Sequence, residues 1–241
     1  MSYQFNWSVL WTGQTGEWLL QGLLVTLEIS ALGWLIAVWL GTLSGALRTF
    51  PGAPLRWLAT AYVEFFRNVP LLVWMFFWYF GISPLLPQLL RNWLFDHGAE
   101  FWAGACALGF YHGARFSEVI RSGIGSVPKT QFEAAASTGL TVLETYRLII
   151  IPIALRLIVP PATNETLNLL KNSSVALTIG VAELTFQTRQ IETYTAKAFE
   201  ALAAGTVIYL VLCLLIAAVM TCIERRVAIP GMIGRVRTGE V

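Results

Sequence analysis

The 241-residue sequence predicts an all-α integral membrane protein with about five spanning helices. Three observations carry that reading. The chain is 56% hydrophobic and 12% charged, where a soluble domain carries about 25% charged residues. Its mean hydropathy is +0.64. Its apolar residues gather into blocks of about 20 or more, the length that crosses a hydrocarbon layer roughly 30 Å thick.

The stretch up to Trp18 is polar and aromatic, and Trp7, Trp11 and Trp18 suit a membrane interface. The first lysine or arginine is Arg48, so no basic region precedes the first apolar block, unlike a signal peptide. That block runs from about Leu19 to Leu47; Gly22, Gly33, Gly41 and Gly45 along it let a neighbouring helix approach closely. Arg48 to Pro54 reads as a turn, with Pro51 and Gly52 stopping the helix. A second block covers about Leu55 to Phe80. Gly81 to Glu100 is a broken connection holding Pro84, Pro87, Arg91 and Asp96. A third block, Phe101 to about Ile124, leads into a polar stretch from Gly125 to Arg147. A fourth, more polar segment covers about Ile153 to Leu177. A loop with Glu183, Arg189, Glu192 and Lys197 precedes the last block, about Ala201 to Ile223. Residues 1–241 thus read as one transmembrane domain, with a membrane core over about 19–224 and a projecting loop over 125–152.

Basic residues set the orientation. With the N-terminus outside, Arg48, Arg56, Arg121, Lys129, Arg147 and Arg156 are cytoplasmic, as are Arg225, Arg226, Arg235 and Arg237 in the tail. The outside then receives only Arg91, Arg189 and Lys197. N-out, C-in is the expected topology.

Several chemistries have no support. A phosphate-binding loop needs glycine immediately before its lysine, whereas Lys129, Lys171 and Lys197 follow Pro128, Leu170 and Ala196. No nucleophile elbow, metal-ligand spacing or nucleic-acid-binding basic cluster is present. Cys106, Cys213 and Cys222 lie in apolar segments and read as packing residues. His97 and His112 read as too isolated to form a site.

Polar side chains recur where lipid contact is costly. Thr60, Glu64, Arg67 and Asn68 fall at i, i+4, i+7 and i+8, one face of a helix. Asn164, Asn168, Lys171 and Asn172 repeat that spacing, with Glu165 beside them and Ser173 following. A charge at a spanning helix centre costs on the order of 2.5–3.5 kcal/mol, so these faces turn toward other helices or a wet cavity. Two readings stay open: a lining for a translocation path, or helix–helix glue in which Glu64 pairs with Arg67. Pro70 and the Pro160-Pro161 pair are expected to disturb the helical ladder. Glu118, between Arg115 and Arg121, reads as an ion-paired face near the cytoplasm. Glu28 could serve path, interface or snorkelling.

The most informative stretch is Ser126 to Gly139, Ser-Val-Pro-Lys-Thr-Gln-Phe-Glu-Ala-Ala-Ala-Ser-Thr-Gly. Pro128 suits the opening of a short helix, Glu133 to Ala136 are good helix formers, and Gly139 suits a left-handed stop. Thr141 with Glu144 has the form of a capping box for a second helix, limited by Pro152. The result is a helix–turn–helix elbow.

Glu133-Ala134-Ala135, then Gly139, Ile149 and Ile151-Pro152, resemble the EAA loop of ABC importer permeases, with Ile151 standing where leucine is usual. Tyr62 to Leu71, with Arg67-Asn68-Val69-Pro70, is similar to the second helix of polar amino acid permeases. Asn168 to Ala176, followed by Ile179-Gly180-Val181 and Glu183-Leu184, is similar to their fourth. The wording is closest to the glutamate/aspartate branch, and the resemblance covers most of the chain from about Gly22.

The resemblance implies the ABC importer permease fold in a bacterial cytoplasmic membrane. It implies a coupling role for Glu133, Ala134, Ala135 and Gly139, docked on an ATP-binding subunit. It implies translocation-path roles for Glu64, Arg67, Asn68, Asn164, Glu165, Asn168, Lys171, Asn172 and Ser173. The implied partners are two ATP-binding subunits, a homologous permease (a heterodimer favoured) or a second copy, and an extracytoplasmic amino-acid-binding protein. No cofactor is expected on this chain; ATP and Mg are used by the partner ATPase. The expected cargo is glutamate or aspartate; the alternatives are glutamine, histidine or basic amino acids, or an ion-coupled secondary carrier that works without ATP.

Overall fold

The computed structural model describes residues 3–49 and 53–227, and among these every element is helical. Phe50, Pro51 and Gly52 of the expected turn, and Arg235 and Arg237 of the tail, lie outside the described residues.

Helix α1, Gln14–Thr49, is long and apolar enough to span a membrane, as is α10, Ala198–Val227. Between them come α2 (Ala53–Arg67), α3 (Leu71–Phe76), α4 (Gln88–Asp96) and α5 (Ala99–Gly125). Then follow α6 (Lys129–Ser137), α7 (Val142–Thr145), α8 (Ile151–Asn172) and α9 (Leu184–Thr195). Helices α5 and α8 fall short of that composition because they carry the polar groups described below.

The second apolar block is not one straight segment. The chain bends by 102° between α2 and the stretch from Leu71 to Leu85. Pro70 supplies the cause: it has no N–H, and it holds an extended backbone at φ −58, ψ 143 ahead of α3. The expected connection from Gly81 to Glu100 is also more ordered than its prolines suggest. Phe77–Ile82 continue α3 as a π-helix, Ser83–Leu85 form a 3₁₀ turn, and α4 follows from Pro87.

Two further expectations are corrected. Pro152 does not stop the elbow's second helix. The chain passes from α7 through a π-helical turn, Tyr146–Ile150, into α8, and Pro152 falls in the first turn of α8, where its missing N–H is tolerated. Pro160 and Pro161 sit inside α8 and leave the hydrogen-bond ladder without two N–H donors, as expected, yet the helix runs on through them and changes to a 3₁₀ helix only at Ser173–Ile179. The segment with Glu183, Arg189 and Glu192 is α9 and its cap, not a loop.

The main seam is α1 against α5. Gly22, Gly33, Gly41 and Gly45 are all buried, and the last three face α5. A Cβ on Gly41 would lie 2.4 Å from Cβ of Phe116, so the backbones meet where a side chain would stand. The core beside this seam gathers Ile29, Leu71, Trp74, Met75, Leu108 and Val181. Trp34 Nε1 donates to Thr166 Oγ1 (3.1 Å), tying α1 to α8, and Thr163 Oγ1 donates to Glu224 (2.7 Å), tying α8 to α10.

At one end Glu183 is fully buried yet well satisfied. Its carboxylate caps α9, accepting from the backbone N–H of Thr185 (2.8 Å) and Phe186 (2.9 Å) and from the Tyr209 hydroxyl (2.8 Å). Thr26 of α1 accepts the next N–H, from Leu184 (3.0 Å). A buried carboxylate is tolerable only with donors in such number. The N-terminal segment straps this end: Tyr3 and the Asn6 N–H both donate to Glu200 of α10.

Candidate functional site

Two regions carry the predicted site residues: a polar cleft between α2, α5 and α8, and the projecting elbow.

The cleft holds about 370 Å³ and is lined by Arg67, Arg115, Glu118, Ser122, Pro161 and Glu165, with smaller and apolar residues between them. Its floor is built on α5. His112, Arg115 and Glu118 recur at three-residue spacing, so they share a helix face. His112 is fully buried, and its two ring nitrogens bridge to α8. Asn172 donates its amide N–H to Nε2 (3.1 Å), and Nδ1–H donates to Glu165 (3.4 Å). That pairing fixes the neutral tautomer, since a carboxylate only accepts. Arg115 approaches Glu165 at 3.6 Å and donates to the Tyr111 hydroxyl (3.1 Å).

Glu118 is the hub of a second cluster. Arg121 donates to it twice, at 3.1 and 3.0 Å, Arg48 of α1 donates to it, and Arg67 of α2 stands 3.6 Å away. Arg115 is not a partner of Glu118 among the described residues; it turns to Glu165 instead. Arg67 and Arg115 line the cleft with Glu118 and Glu165, and Arg48 and Arg121, outside that lining, pair with Glu118.

Not every predicted path residue reaches this cleft. Arg67 and Glu165 line it, and Asn172 supports it through His112. Glu64 does not pair with Arg67; it accepts from the Asn68 amide (3.0 Å) on the exposed side of the break. Asn164 and Lys171 are exposed on α8 and Asn168 is half-buried, so this face is open in the single chain. Ser173 is buried, and its hydroxyl is spent on the Leu170 carbonyl (2.7 Å). His112 and Arg115 are the residues that sequence reasoning missed. Their three-residue spacing with Glu118 was the available signal.

The elbow is built as the sequence suggests. Helix α6 ends in a Schellman arrangement: Leu140 N–H donates to Ala135 (3.3 Å), and Gly139 N–H to Ala136 (3.1 Å). Gly139 adopts φ +78, the left-handed region. The capping box is present, with Thr141 accepting from the Glu144 N–H (3.3 Å) and Glu144 accepting from the Thr141 N–H (2.9 Å). The Thr141 hydroxyl also donates to the Glu144 carboxylate (2.7 Å), and this bond first and the Thr141 N–H second hold the exposed Glu144 carboxyl below its usual range. Ala135 is buried against the chain's own body, whereas Glu133, Ala134 and Ala136 face outward. Val142 and Leu143 are 76% and 78% exposed, an apolar pair at the tip. Of the cysteines, Cys106 and Cys213 are half-buried; Cys222 is exposed and so is not a packing residue within this chain.

Residues 37–229 match the family described as "Binding-protein-dependent transport system inner membrane component". The glutamate/aspartate import permease protein GltJ of Escherichia coli K12 is 39% identical, covering 97% of this chain and 99% of that one. The glutamine transport system permease protein GlnP of the same bacterium is 34% identical, covering 94% and 99%. A crystal structure of an amino acid ABC transporter with histidines superposes with a TM-score of 0.80 at 31% identity, over 94% of this chain and 100% of that one. The chain belongs to the binding-protein-dependent transport family: it is an inner-membrane permease subunit of an ABC importer, a transport subunit that works with an ATPase and a substrate-binding protein.

Proposed function

We propose that this permease carries acidic amino acids, glutamate and aspartate, across the cytoplasmic membrane. The observation that supports it is the charge in and around the cleft: Arg67 and Arg115 line it beside Glu118 and Glu165. Glu118 is already paired with Arg48 and Arg121 outside that lining, which leaves the lining arginines for an anionic cargo. The 39% identity to a glutamate/aspartate permease points the same way. Low-dielectric walls make such complementarity worth more than it would be in water.

In this reading the N-terminus is outside and the elbow is cytoplasmic. The binding protein delivers substrate to the outer end of the cleft. The chain pairs with a homologous permease, in preference to a copy of itself, and the open face with Asn164, Asn168 and Lys171 turns toward that partner. Two ATPase subunits, which use the ATP and Mg, dock on the two elbows. On this chain Glu133, Ala134, Val142 and Leu143 make the contact, and Gly139 sets its angle.

The test is reconstitution. The tagged chain is purified with its co-assembling proteins, identified by mass spectrometry, and placed in liposomes with the matching binding protein. ATP-dependent uptake of labelled glutamate in preference to glutamine is expected. Equal or faster uptake of glutamine would overturn the acidic reading, and uptake that persists without ATP would favour an ion-coupled carrier.

A further inference from the structure

The charges of the cleft do not pair off evenly. Glu118 is already held by Arg48 and by two donors of Arg121. Arg67 reaches Glu118 only at 3.6 Å, and Arg115 reaches Glu165 only at 3.6 Å, both too long for a direct hydrogen bond. Two ion-paired cations therefore have hydrogen-bond donors to spare, but only one is held in place. The two side chains are almost equally exposed, 42% for Arg67 and 41% for Arg115, but Arg67 ends α2 at the break and its guanidinium has no hydrogen-bond partner among the described residues. Arg115 stands within the unbroken α5, its guanidinium 5.2 Å from the centroid of the Tyr111 ring and bonded to the Tyr111 hydroxyl. Its Nε–H is buried without an acceptor among the described residues. A buried donor in that state costs free energy until an acceptor arrives.

Telling a carboxylate from an amide of the same shape requires donors positioned before the ligand enters. We infer that Arg115 is the specificity-determining residue of this permease and takes the side-chain carboxylate of an acidic amino acid. The inference rests on the acidic-substrate reading above. Entry is an exchange of ion pairs: the cargo's carboxylate replaces Glu165 on the guanidinium, in the two-pronged geometry that arginine offers. Glu165 keeps the His112 N–H and is left to accept from the cargo's α-ammonium group. An amide in the same position brings no charge and sets its own N–H₂ against guanidinium donors.

The test measures binding to the purified permease–ATPase complex without binding protein, by equilibrium dialysis of radiolabelled L-glutamate and L-glutamine. The wild-type complex is expected to prefer glutamate. Arg115→Gln is expected to weaken glutamate binding roughly 10- to 100-fold while glutamine changes less than about threefold. Retained glutamine binding also shows that the variant is folded. Arg115→Lys keeps the charge but not the planar fork and is expected to fall between. Equal weakening of both ligands in Arg115→Gln would overturn the inference and leave the acidic reading standing. If Arg115→Gln does not assemble, Arg115→Lys decides: an undiminished preference for glutamate overturns the inference. A wild-type complex that does not prefer glutamate overturns the acidic reading itself, before any variant is made.

Discussion

Replacing Gly41 by alanine is expected to weaken both the fold and transport, by an amount that the α1–α5 seam allows one to work out. The added Cβ would stand 2.4 Å from Cβ of Phe116 and 3.0 Å from both the Gly113 carbonyl oxygen and the Ser117 nitrogen. Carbon atoms in contact settle at about 3.5–4.0 Å, so the seam must open by about an ångström. Phe116 Cβ is fixed to the backbone, and a rotamer change cannot move it aside. Overpacking of this kind costs about 1–3 kcal/mol. At about 2 kcal/mol, a chain of this size loses roughly 4–8 °C in melting temperature. Phe116 lies between Arg115 and Ser117, with Glu118 next, so the same shift displaces the cleft's α5 groups relative to α8. The assay is thermal denaturation of the detergent-solubilised complex beside ATP-driven uptake. Gly125→Ala is the control, because its added Cβ meets nothing within 4 Å. If Gly41→Ala melts and transports like Gly125→Ala, the seam is softer than argued and the reasoning fails.

Three other perturbations probe the elbow and the arginine cluster. Gly139→Val meets no steric neighbour, so its cost is that of a β-branched residue at φ +78, at least about 1–2 kcal/mol. Substrate moved per ATP hydrolysed is expected to fall, and Gly139→Asn to be milder; full coupling in Gly139→Val would remove this residue from the coupling path. Glu118→Gln leaves Arg48, whose side chain is only 10% exposed, without its counter-charge. A loss of about 1–3 kcal/mol is expected, below the cost at a fully buried pair because Glu118 itself is part-exposed; an unchanged melting temperature would show the arginines to be solvated singly. Glu144, its carboxyl held low by Thr141, supports the elbow above the ordinary carboxyl value of 4.5, and that support fades as pH falls through the lowered folded value. Hydrogen exchange at the Thr141 and Glu144 amides should accelerate over that acid range, once corrected for intrinsic rates, and Thr141→Ala, which keeps the N–H donor but loses the hydroxyl, should reduce the pH dependence.

Much of this was legible in the sequence, because membrane helices announce themselves by long apolar runs and elbows by local capping chemistry. Gly139, Thr141 and Glu144 act on neighbours within a few residues, so sequence alone places them. The break near Pro70 was partly legible: proline signals a disturbance, but the 102° angle is decided by how α3 packs on α5. Helix α9 was hidden because its cap, Glu183, looks like a loop acid until Thr26 and Tyr209 are seen beside it. His112 was discounted because histidines were counted rather than placed; only the proximity of α5 to α8 gives it Glu165 and Asn172 as partners.

The contrast between the molecule's tight and loose contacts has a mechanical consequence. Helices α1 and α5 lock backbone to backbone through glycines, and the Glu183 knot ties α1 to α9 and α10. These parts cannot shift by a fraction of an ångström without collision, so they behave as a stator. The end of α2 meets α5 differently, through the 3.6 Å contact of Arg67 with Glu118. Helix α8 has both kinds of contact: a Cβ on Gly123 would lie 2.3 Å from Cγ1 of Ile158, and Thr166 is bonded to Trp34 of α1, whereas Glu165 meets α5 at 3.4 and 3.6 Å. A push delivered at the elbow, which is continuous with α8 through the π-helical turn, therefore reaches the stator through the Gly123–Ile158 contact, and the charges around Arg67 and Glu165 are where partners can change.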